Sequence, residues 1–295
     1  MACIICGGSE TAPALSSGGF DLVKCRGCGL VYLNNPPGRE ELTRYYPDGY
    51  YGGGSAPGLV ERIYDGLTGR LETRKFKRIR PSGSLLDVGC GDGLFLSRLS
   101  KNEKWRLFGI EISKAGHAKA SGRGGMSIYN QPLEDCGFAG DFFDIVTLRH
   151  VLEHVPDPGA LLGHIRRVLK PGGTLVIRVP NIGSFEASLG REEWLHIDLP
   201  RHLYQFTPET ATLLLQKNGF EVTKINHFMF EYKQVLFYSF NQWLKRRFRR
   251  GRAGRGNPAA GKALFAALLP ATLLVSYAFA VFGKSGTMEI RAKKR

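Results

Sequence analysis

Residues 84–100 read SLLDVGCGDGLFLSRLS, and this stretch decides the fold. Leu85, Leu86 and Val88 predict a short buried strand, the glycines of 89–93 predict a tight turn, and the apolar spacing of 94–99 predicts a helix. Glycines let a backbone approach a ligand closely, and a helix N-terminus presents unpaired N–H groups to it. The stretch therefore predicts a cradle for a nucleotide-like ligand. A G-x-G-x-G turn alone is weak evidence, because dinucleotide oxidoreductases carry a similar turn.

The following segments repeat the alternation of strand and helix. Residues 107–110 predict a second strand that ends in Glu111, where a carboxylate can accept both ribose hydroxyls of an adenosine. Residues 144–148 predict another buried strand. A helix predicted at 160–170 ends at Pro-Gly-Gly and precedes a strand at 174–179. This order predicts an α/β fold with a Rossmann-like, doubly wound parallel sheet.

Four motifs, taken in order, resemble the class I S-adenosylmethionine-dependent methyltransferases of the type 11/23-like group: LLDVGCGDGLFL, GIEIS, FFDIVTLRHVLEHVPDP and LKPGGTLVIRVPN. The resemblance covers residues 82–225 and resumes at 287–292. It implies a mostly parallel seven-stranded sheet with an antiparallel last strand, and S-adenosylmethionine as the cofactor. It assigns the methionine portion to Asp87 and the glycine turn, the ribose to Glu111, and the adenine border to Gln131, where the family often has Asp, and Leu133. The full predicted cofactor set is Asp87, Gly89, Cys90, Gly91, Gly93, Glu111, Ile112, Gln131, Leu133 and Arg149.

Four cysteines at the N-terminus have the spacing of a zinc ribbon over residues 1–35. Cys3, Cys6, Cys25 and Cys28 form two C-x2-C knuckles, and two such knuckles complete a tetrahedral four-sulfur shell. A closed shell leaves no position for substrate, so the predicted zinc is structural. Reduced free thiols are the alternative. A ribbon followed by CGLVYLNNPP resembles bacterial methyltransferases thought to modify saccharides or lipid-linked metabolites.

Three further segments complete the predicted organisation. Residues 36–80 are predicted to form a linker or helical flap, and the methyltransferase core is predicted at 81–236 and 284–295. Residues 237–283 form a basic and apolar insert, with an arginine-rich run at 245–255 and no charge over 263–282. The apolar stretch has transmembrane length. A single crossing would leave the last strand unpaired, so we expect helices that associate with an anionic membrane surface.

The alternatives for this insert are a buried helix, a solvated tail and a true membrane span. The formal charge of +15 favours an anionic partner of some kind. The N-terminal sequence MACIICGGSE has no basic start and no apolar run of signal-peptide length. We therefore expect a cytoplasmic protein, peripheral on the inner face of the membrane.

Three histidines are the predicted catalytic residues. Methyl transfer to oxygen needs a group that removes a proton from the acceptor. His154 follows the strand at 144–148 within EHVPDP, and His196 and His202 lie in WLHIDLPRHLY. Helix capping or closure of a loop are the structural alternatives. HVLEH also matches an inverted zinc-protease pattern, but Pro156 ends the helix that a protease needs.

These observations together predict O-methylation of a small-molecule, saccharide or lipid-linked acceptor. RNA methylation is the alternative within the same chemistry, and it is less favoured because the positive charge is concentrated beside an apolar stretch. A non-catalytic cofactor- or zinc-dependent interaction module is the alternative of another class. A nicotinamide oxidoreductase is disfavoured, because the turn does not read G-x-G-x-x-G.

Overall fold

A computed structural model describes residues 2–38, 41–42, 44–45, 59–101, 104–227, 274–275 and 277–295. The chain divides into two compact units. One comprises Met1–Pro36, Val179–Leu213 and Ile225–Glu289. The other comprises Pro37–Arg178, Leu214–Lys224 and Ile290–Arg295.

A small antiparallel sheet lies in the first unit. Its strands, in the order in which they neighbour one another, are β1 (Thr11–Ser17), β2 (Phe20–Cys25), β3 (Val31–Leu33) and β9 (Tyr204–Gln205). Tyr32 of β3 pairs with Tyr204 of β9. The predicted zinc-ribbon segment therefore forms a hairpin sheet, and its last strand comes from a part of the chain far from the N-terminus.

The larger sheet has seven strands in the order β10-β11-β8-β7-β4-β5-β6. Most of its strands are parallel, and the last strand, β11, is antiparallel, which confirms the predicted Rossmann-like fold. Its strands are β4 (Gly83–Val88), β5 (Trp105–Ile110), β6 (Ser127–Tyr129), β7 (Phe143–Arg149), β8 (Leu169–Pro180), β10 (Phe220–Asn226) and β11 (Thr287–Lys294). Among the described residues, the α-helices with defined bounds are α1 (Leu59–Ile79), α2 (Leu94–Leu99), α3 (Lys114–Ser121), α4 (Pro158–Val168), α5 (Phe185–Gly190) and α6 (Pro208–Lys217).

The central strands consist mostly of apolar residues, since helices cover both faces of the sheet there. β4 and β7 are almost wholly buried, as a parallel sheet between helices requires. Helix α1 packs on one of these faces, where the rings of Phe76 and Phe95 have centroids 4.9 Å apart. The sequence predicts that the core starts at residue 81. Phe76 nevertheless belongs to the buried core cluster around Leu85.

Helix α4 and strand β8 each begin earlier than the sequence predicted. Asp157 caps α4 by accepting the N–H of Ala160 at 2.9 Å, so the helix starts at Pro158 rather than at 160. It ends at Val168, because Leu169 already pairs with Phe143 in the sheet. The register then shifts before Ile145, which accommodates the Pro-Gly-Gly turn within the strand.

Residues 228–273 and 276, which hold most of the predicted insert and its whole arginine-rich run, lie outside the described residues. At the described end of the insert, Leu274 and Phe282 are 72% and 78% exposed. Phe279 instead stacks on Phe185, with ring centroids 4.0 Å apart. None of the helices in the described ranges is long and apolar enough to cross a membrane.

Candidate cofactor-binding site

The glycine turn between β4 and α2 has the left-handed backbone that its sequence requires. Gly89, Gly91 and Gly93 have φ values of 73°, 58° and 73°. A Cβ at Gly89 would come within 2.4 Å of the Val151 side chain, and one at Gly93 within 3.0 Å of Ala120. A Cβ at Gly91 would meet nothing within 4 Å. The two outer glycines are thus needed for packing, whereas the middle one faces open space that a ligand can fill.

Glu111 is held against this turn by the backbone. Its buried carboxylate accepts the N–H of Gly91 at 2.9 Å and the N–H of Ser113 at 2.8 Å, one on each oxygen. The amide of Asn130 donates to the Glu111 carbonyl at 2.7 Å, a contact that the sequence analysis missed. Each carboxylate oxygen has capacity for a further hydrogen bond. The arrangement fits a ribose that donates two hydroxyls beside a glycine turn.

Asp87 lies beneath the turn in β4, and it is almost completely buried. The hydroxyl of Thr147 donates to its Oδ1 at 2.5 Å. Burial raises the pKa of Asp87 to about 6, although Arg149 and the Thr147 hydrogen bond oppose the shift. The protein therefore keeps a carboxylate where solvation does not stabilise its charge.

Arg149 ends β7 next to this carboxylate. Its guanidinium carbon lies 4.3 Å from the ring centroid of Phe95, which belongs to the helix after the glycine turn. Glu72 of α1 forms ion pairs with Arg149 and with the buried Arg178. Neither Glu72 nor Arg178 is among the residues predicted from the sequence. The signal was available for Arg178, since a charged residue stands inside the apolar strand LVIRVP.

The other predicted cofactor residues lie around the same edge of the sheet. Cys90 is buried in the turn, and burial raises the pKa of its thiol. Ile112 is 71% exposed directly after Glu111, so it presents an apolar surface suited to a flat ring. Leu133 is buried, whereas the exposed Gln131 donates its amide N–H to the carbonyl of Asp135 at 2.6 Å.

The turn after β7 holds two histidines with different environments. Burial, together with the charges of Arg178 and Arg149, lowers the pKa of His150 to about 3, so this imidazole is neutral at physiological pH. Its Nδ1 lies 3.2 Å from a carboxylate oxygen of Glu153. The predicted catalytic residue His154 is half-buried at the end of a short 3-10 turn, Leu152–His154.

The structure brings His196 and His202 together within the first unit. Nδ1 of His202 lies 2.7 Å from the carbonyl oxygen of His196, so Nδ1 is the donor, and Nε2 lies 3.8 Å from a carboxylate oxygen of Asp198. Gln205 donates to the same carbonyl at 3.1 Å. Both histidines are buried. The loop thus fixes Nδ1 of His202 as protonated and sets the orientation of the ring.

The four N-terminal cysteines converge, as a shared metal would require. Their sulfur atoms all lie within 4.8 Å of one another, with Cys3 and Cys28 at 3.4 Å and Cys6 and Cys25 at 3.5 Å. Sulfurs bound tetrahedrally to zinc are about 3.8 Å apart, since a Zn–S bond is about 2.3 Å. The backbone N–H of Cys28 lowers the pKa of Cys25 to about 7, whereas burial raises the pKa of Cys3 and of Cys28. The donor set and its spacing fit zinc.

Replacing Asp87 by asparagine is expected to stabilise the fold. The rise in the pKa of Asp87 from 3.8 to about 6 corresponds to about 3 kcal/mol that the charged carboxylate costs above that pH. Urea unfolding at about pH 7.5 should show the gain, and at about pH 4 the gain should have largely disappeared.

Asp144 provides a control, because substitution by asparagine is expected to change stability in the opposite direction there. Burial alone would raise the pKa of this carboxyl, but a hydrogen bond from the Ser84 N–H and ion pairs with Lys170 and Arg80 together lower it. Asp144→Asn should therefore lose stability at neutral pH. A loss of stability in Asp87→Asn at neutral pH would contradict this account of Asp87.

Comparison with known proteins places the chain in a family. A family model described as "Methyltransferase domain" matches residues 61–225. Curated relatives include the ubiquinone biosynthesis O-methyltransferases of Cereibacter sphaeroides strain ATCC 17025, 33% identical over 152 residues, and of Bradyrhizobium sp. strain ORS 278, 32% identical over 167 residues. These alignments cover 46% and 51% of this chain and 60% and 66% of the relatives. The chain thus spans under two thirds of the relatives' length.

Solved structures share the fold at low sequence identity. Phosphoethanolamine N-methyltransferase 2 of Haemonchus contortus, in complex with S-adenosyl-L-methionine, has a TM-score of 0.54 and 18% identity, over 90% of this chain and 61% of that one. The [4+2]-cyclase SpnF has a TM-score of 0.51 and 22% identity, over 77% of this chain and 80% of that one. With the family match over more than half of its length, the chain belongs to the methyltransferase-domain family and has the fold of the class I S-adenosylmethionine-dependent methyltransferases.

Proposed function

We propose that the protein transfers a methyl group from S-adenosylmethionine to an oxygen of a small or lipid-linked acceptor. The observation that carries the proposal is the Glu111 carboxylate fixed beside the open face of Gly91. The carboxylate can accept the ribose hydroxyls, and the glycine beside it lets the backbone approach the same ligand closely. An exposed apolar side chain, Ile112, follows directly.

The chain's own residues would hold each part of the cofactor. Glu111 would accept the ribose hydroxyls, Ile112 would contact the adenine ring, and Asp87 and Arg149 would meet the ammonium and carboxylate of the methionine portion. The cofactor, when bound, supplies an electrophilic methyl group on a sulfonium. The protein's task is then to orient the acceptor oxygen and to remove its proton.

The choice of oxygen and of a small acceptor rests on the relatives. Those at 32–33% identity are named O-methyltransferases of ubiquinone biosynthesis. We infer that His202 is the proton acceptor, because its Nδ1 donates to the His196 carbonyl, which holds the imidazole in one orientation. His154 and His196 remain predicted catalytic residues.

The lipid-linked acceptor and the membrane-surface association are supported by the insert. Leu274, Val281 and Phe282 are 66–78% exposed at its described end, and the sequence of the insert carries seven basic residues between 245 and 255. Apolar side chains beside arginines favour an anionic lipid surface over RNA. A non-catalytic module remains the competing class, since the fold also serves a cyclase.

Transfer from radiolabelled S-adenosylmethionine into a bacterial cell extract, partitioned into organic, nucleic-acid and aqueous fractions, tests the proposed function. We expect label in the organic or the aqueous small-molecule fraction. His202→Ala should abolish transfer and retain binding of S-adenosylhomocysteine, because it removes a proton acceptor and not a cofactor contact.

His164→Ala, which changes a histidine on α4, is the matched control and should transfer at the wild-type rate. Label in RNA would overturn the acceptor class. Binding of the cofactor with no transfer to any fraction would favour the non-catalytic module.

We also propose that Cys3, Cys6, Cys25 and Cys28 bind one structural zinc ion. The convergence of the four sulfurs supports this proposal, because a closed zinc shell needs four such ligands. The purified protein should contain about one zinc per chain by elemental analysis.

Cys25→Ser should lose the zinc and lower the melting temperature, whereas Cys136→Ser, which changes a cysteine outside the cluster, should do neither. If the purified wild-type protein contains no zinc and Cys25→Ser melts at the wild-type temperature, the four residues are free cysteines and the zinc proposal is wrong.

A further inference from the structure

Two arginines stand side by side in the core of the second unit. Arg149 of β7 and Arg178 of β8 are register partners in a parallel pair, so their side chains project to the same face of the sheet. The Arg178 side chain is 2% exposed and that of Arg149 is 20% exposed. Like charges in this position need a counter-charge, because burial removes the stabilisation by water.

Helix α1 supplies that counter-charge through one carboxylate oxygen. Oε1 of Glu72 lies 2.5 Å from Nη2 of Arg178 and 3.3 Å from Nη2 of Arg149. Glu72 is itself buried, at 6% exposure. The carboxylate is therefore shared between the two guanidinium groups instead of paired with one of them.

The arrangement lies at the level of the glycine turn. Leu148 of β7 pairs with Val88 of β4, so Arg149 is level with Gly89, the first residue of the turn. Arg149 also contacts the ring of Phe95 in the helix after the turn. Of the two arginines, Arg149 has the more exposed side chain, and a guanidinium is suited to a ligand carboxylate.

We propose that Glu72 is a positioning residue of the cofactor site, which holds Arg149 against the glycine-turn helix through a carboxylate shared with Arg178. This inference rests on the proposed use of S-adenosylmethionine. Glu72 touches no reacting atom in the proposed role. It acts by fixing the orientation of Arg149 before the cofactor arrives, which lowers the cost of ordering that long side chain on binding.

The charge balance of the cluster gives Glu72 a second effect. Glu72 and Asp87 face Arg149 and Arg178, two negative groups against two positive ones, and Thr147 donates a hydrogen bond to Asp87. Glu72 is among the groups that raise the pKa of Asp87, whereas both arginines lower it. Removing the charge of Glu72 should therefore move the Asp87 titration to lower pH.

Calorimetric titration of the full chain with S-adenosylhomocysteine tests the inference. Glu72→Gln should weaken binding by about tenfold, the scale of losing an outer partner that orients a ligand-binding group. The KM for S-adenosylmethionine should rise with kcat at saturation nearly unchanged, and Glu72→Asp should recover part of the affinity. In the wild type the affinity should fall as the pH drops below about 6, and in Glu72→Gln this midpoint should lie at lower pH. His150 stays neutral over this range and adds no titration of its own.

Asp144→Asn is the matched control, because Asp144 is a buried carboxylate with two cationic partners at the opposite end of β7. It should lower the melting temperature and leave the affinity intact. If Glu72→Gln loses no more affinity than Asp144→Asn at a similar loss of melting temperature, and its pH midpoint is unchanged, Glu72 is only structural and the inference is wrong. Absence of binding by the wild type would overturn the proposed function itself.

Discussion

The hydrogen bond from the Gly91 N–H to the Glu111 carboxylate connects the two strand ends on which the candidate site depends. β4 and β5 run parallel and in register up to Val88 and Ile110, so the residues that follow them meet at the same edge of the sheet. Glu111 bridges this edge with 2.9 Å to Gly91 and 2.8 Å to Ser113. A side chain at Gly91 would enter the space that this contact leaves open, and the left-handed φ there favours glycine. Because of this hydrogen bond, the glycine turn and Glu111 form one structural unit, although they follow different strands.

Beneath this edge the protein keeps charged side chains that are largely shielded from water. Asp87, Glu72, Arg149 and Arg178 are balanced against one another in the core instead of being replaced by apolar residues. Such a cluster is a weak source of stability, because desolvation offsets much of the attraction. We interpret the role of the cluster as holding its charged side chains in fixed orientations. A guanidinium and a carboxylate held in fixed positions can meet a zwitterionic ligand without reorganising.

Much of this organisation was predictable from local sequence, and the parts that were not depend on distant partners. The strand, turn and helix around residues 84–100 follow from apolar spacing and glycines, and the convergence of the four cysteines follows from their spacing. Strand β9 has only two residues, so Tyr204 carries no periodic signal of its pairing with Tyr32. The start of β8 at Leu169 is likewise fixed by pairing with Phe143 and not by its own residues. Glu72 lies outside the motifs, and only the packing of α1 on the sheet identifies its partners.

The fold and the candidate site support the functional conclusion to different degrees. The same fold is found in an N-methyltransferase bound to S-adenosyl-L-methionine and in a cyclase, so the sheet alone does not specify methyl transfer. The cofactor claim depends on Glu111 and the open turn. Calorimetry of S-adenosylhomocysteine with the wild type and with Glu111→Gln, which keeps the size of the side chain and removes its charge, tests it most directly. The account predicts saturable binding by the wild type at one site per chain, and a loss of at least about tenfold in the folded variant. Equal affinity in the two proteins would contradict the assignment of the ribose to Glu111, and no binding by the wild type would contradict the cofactor itself.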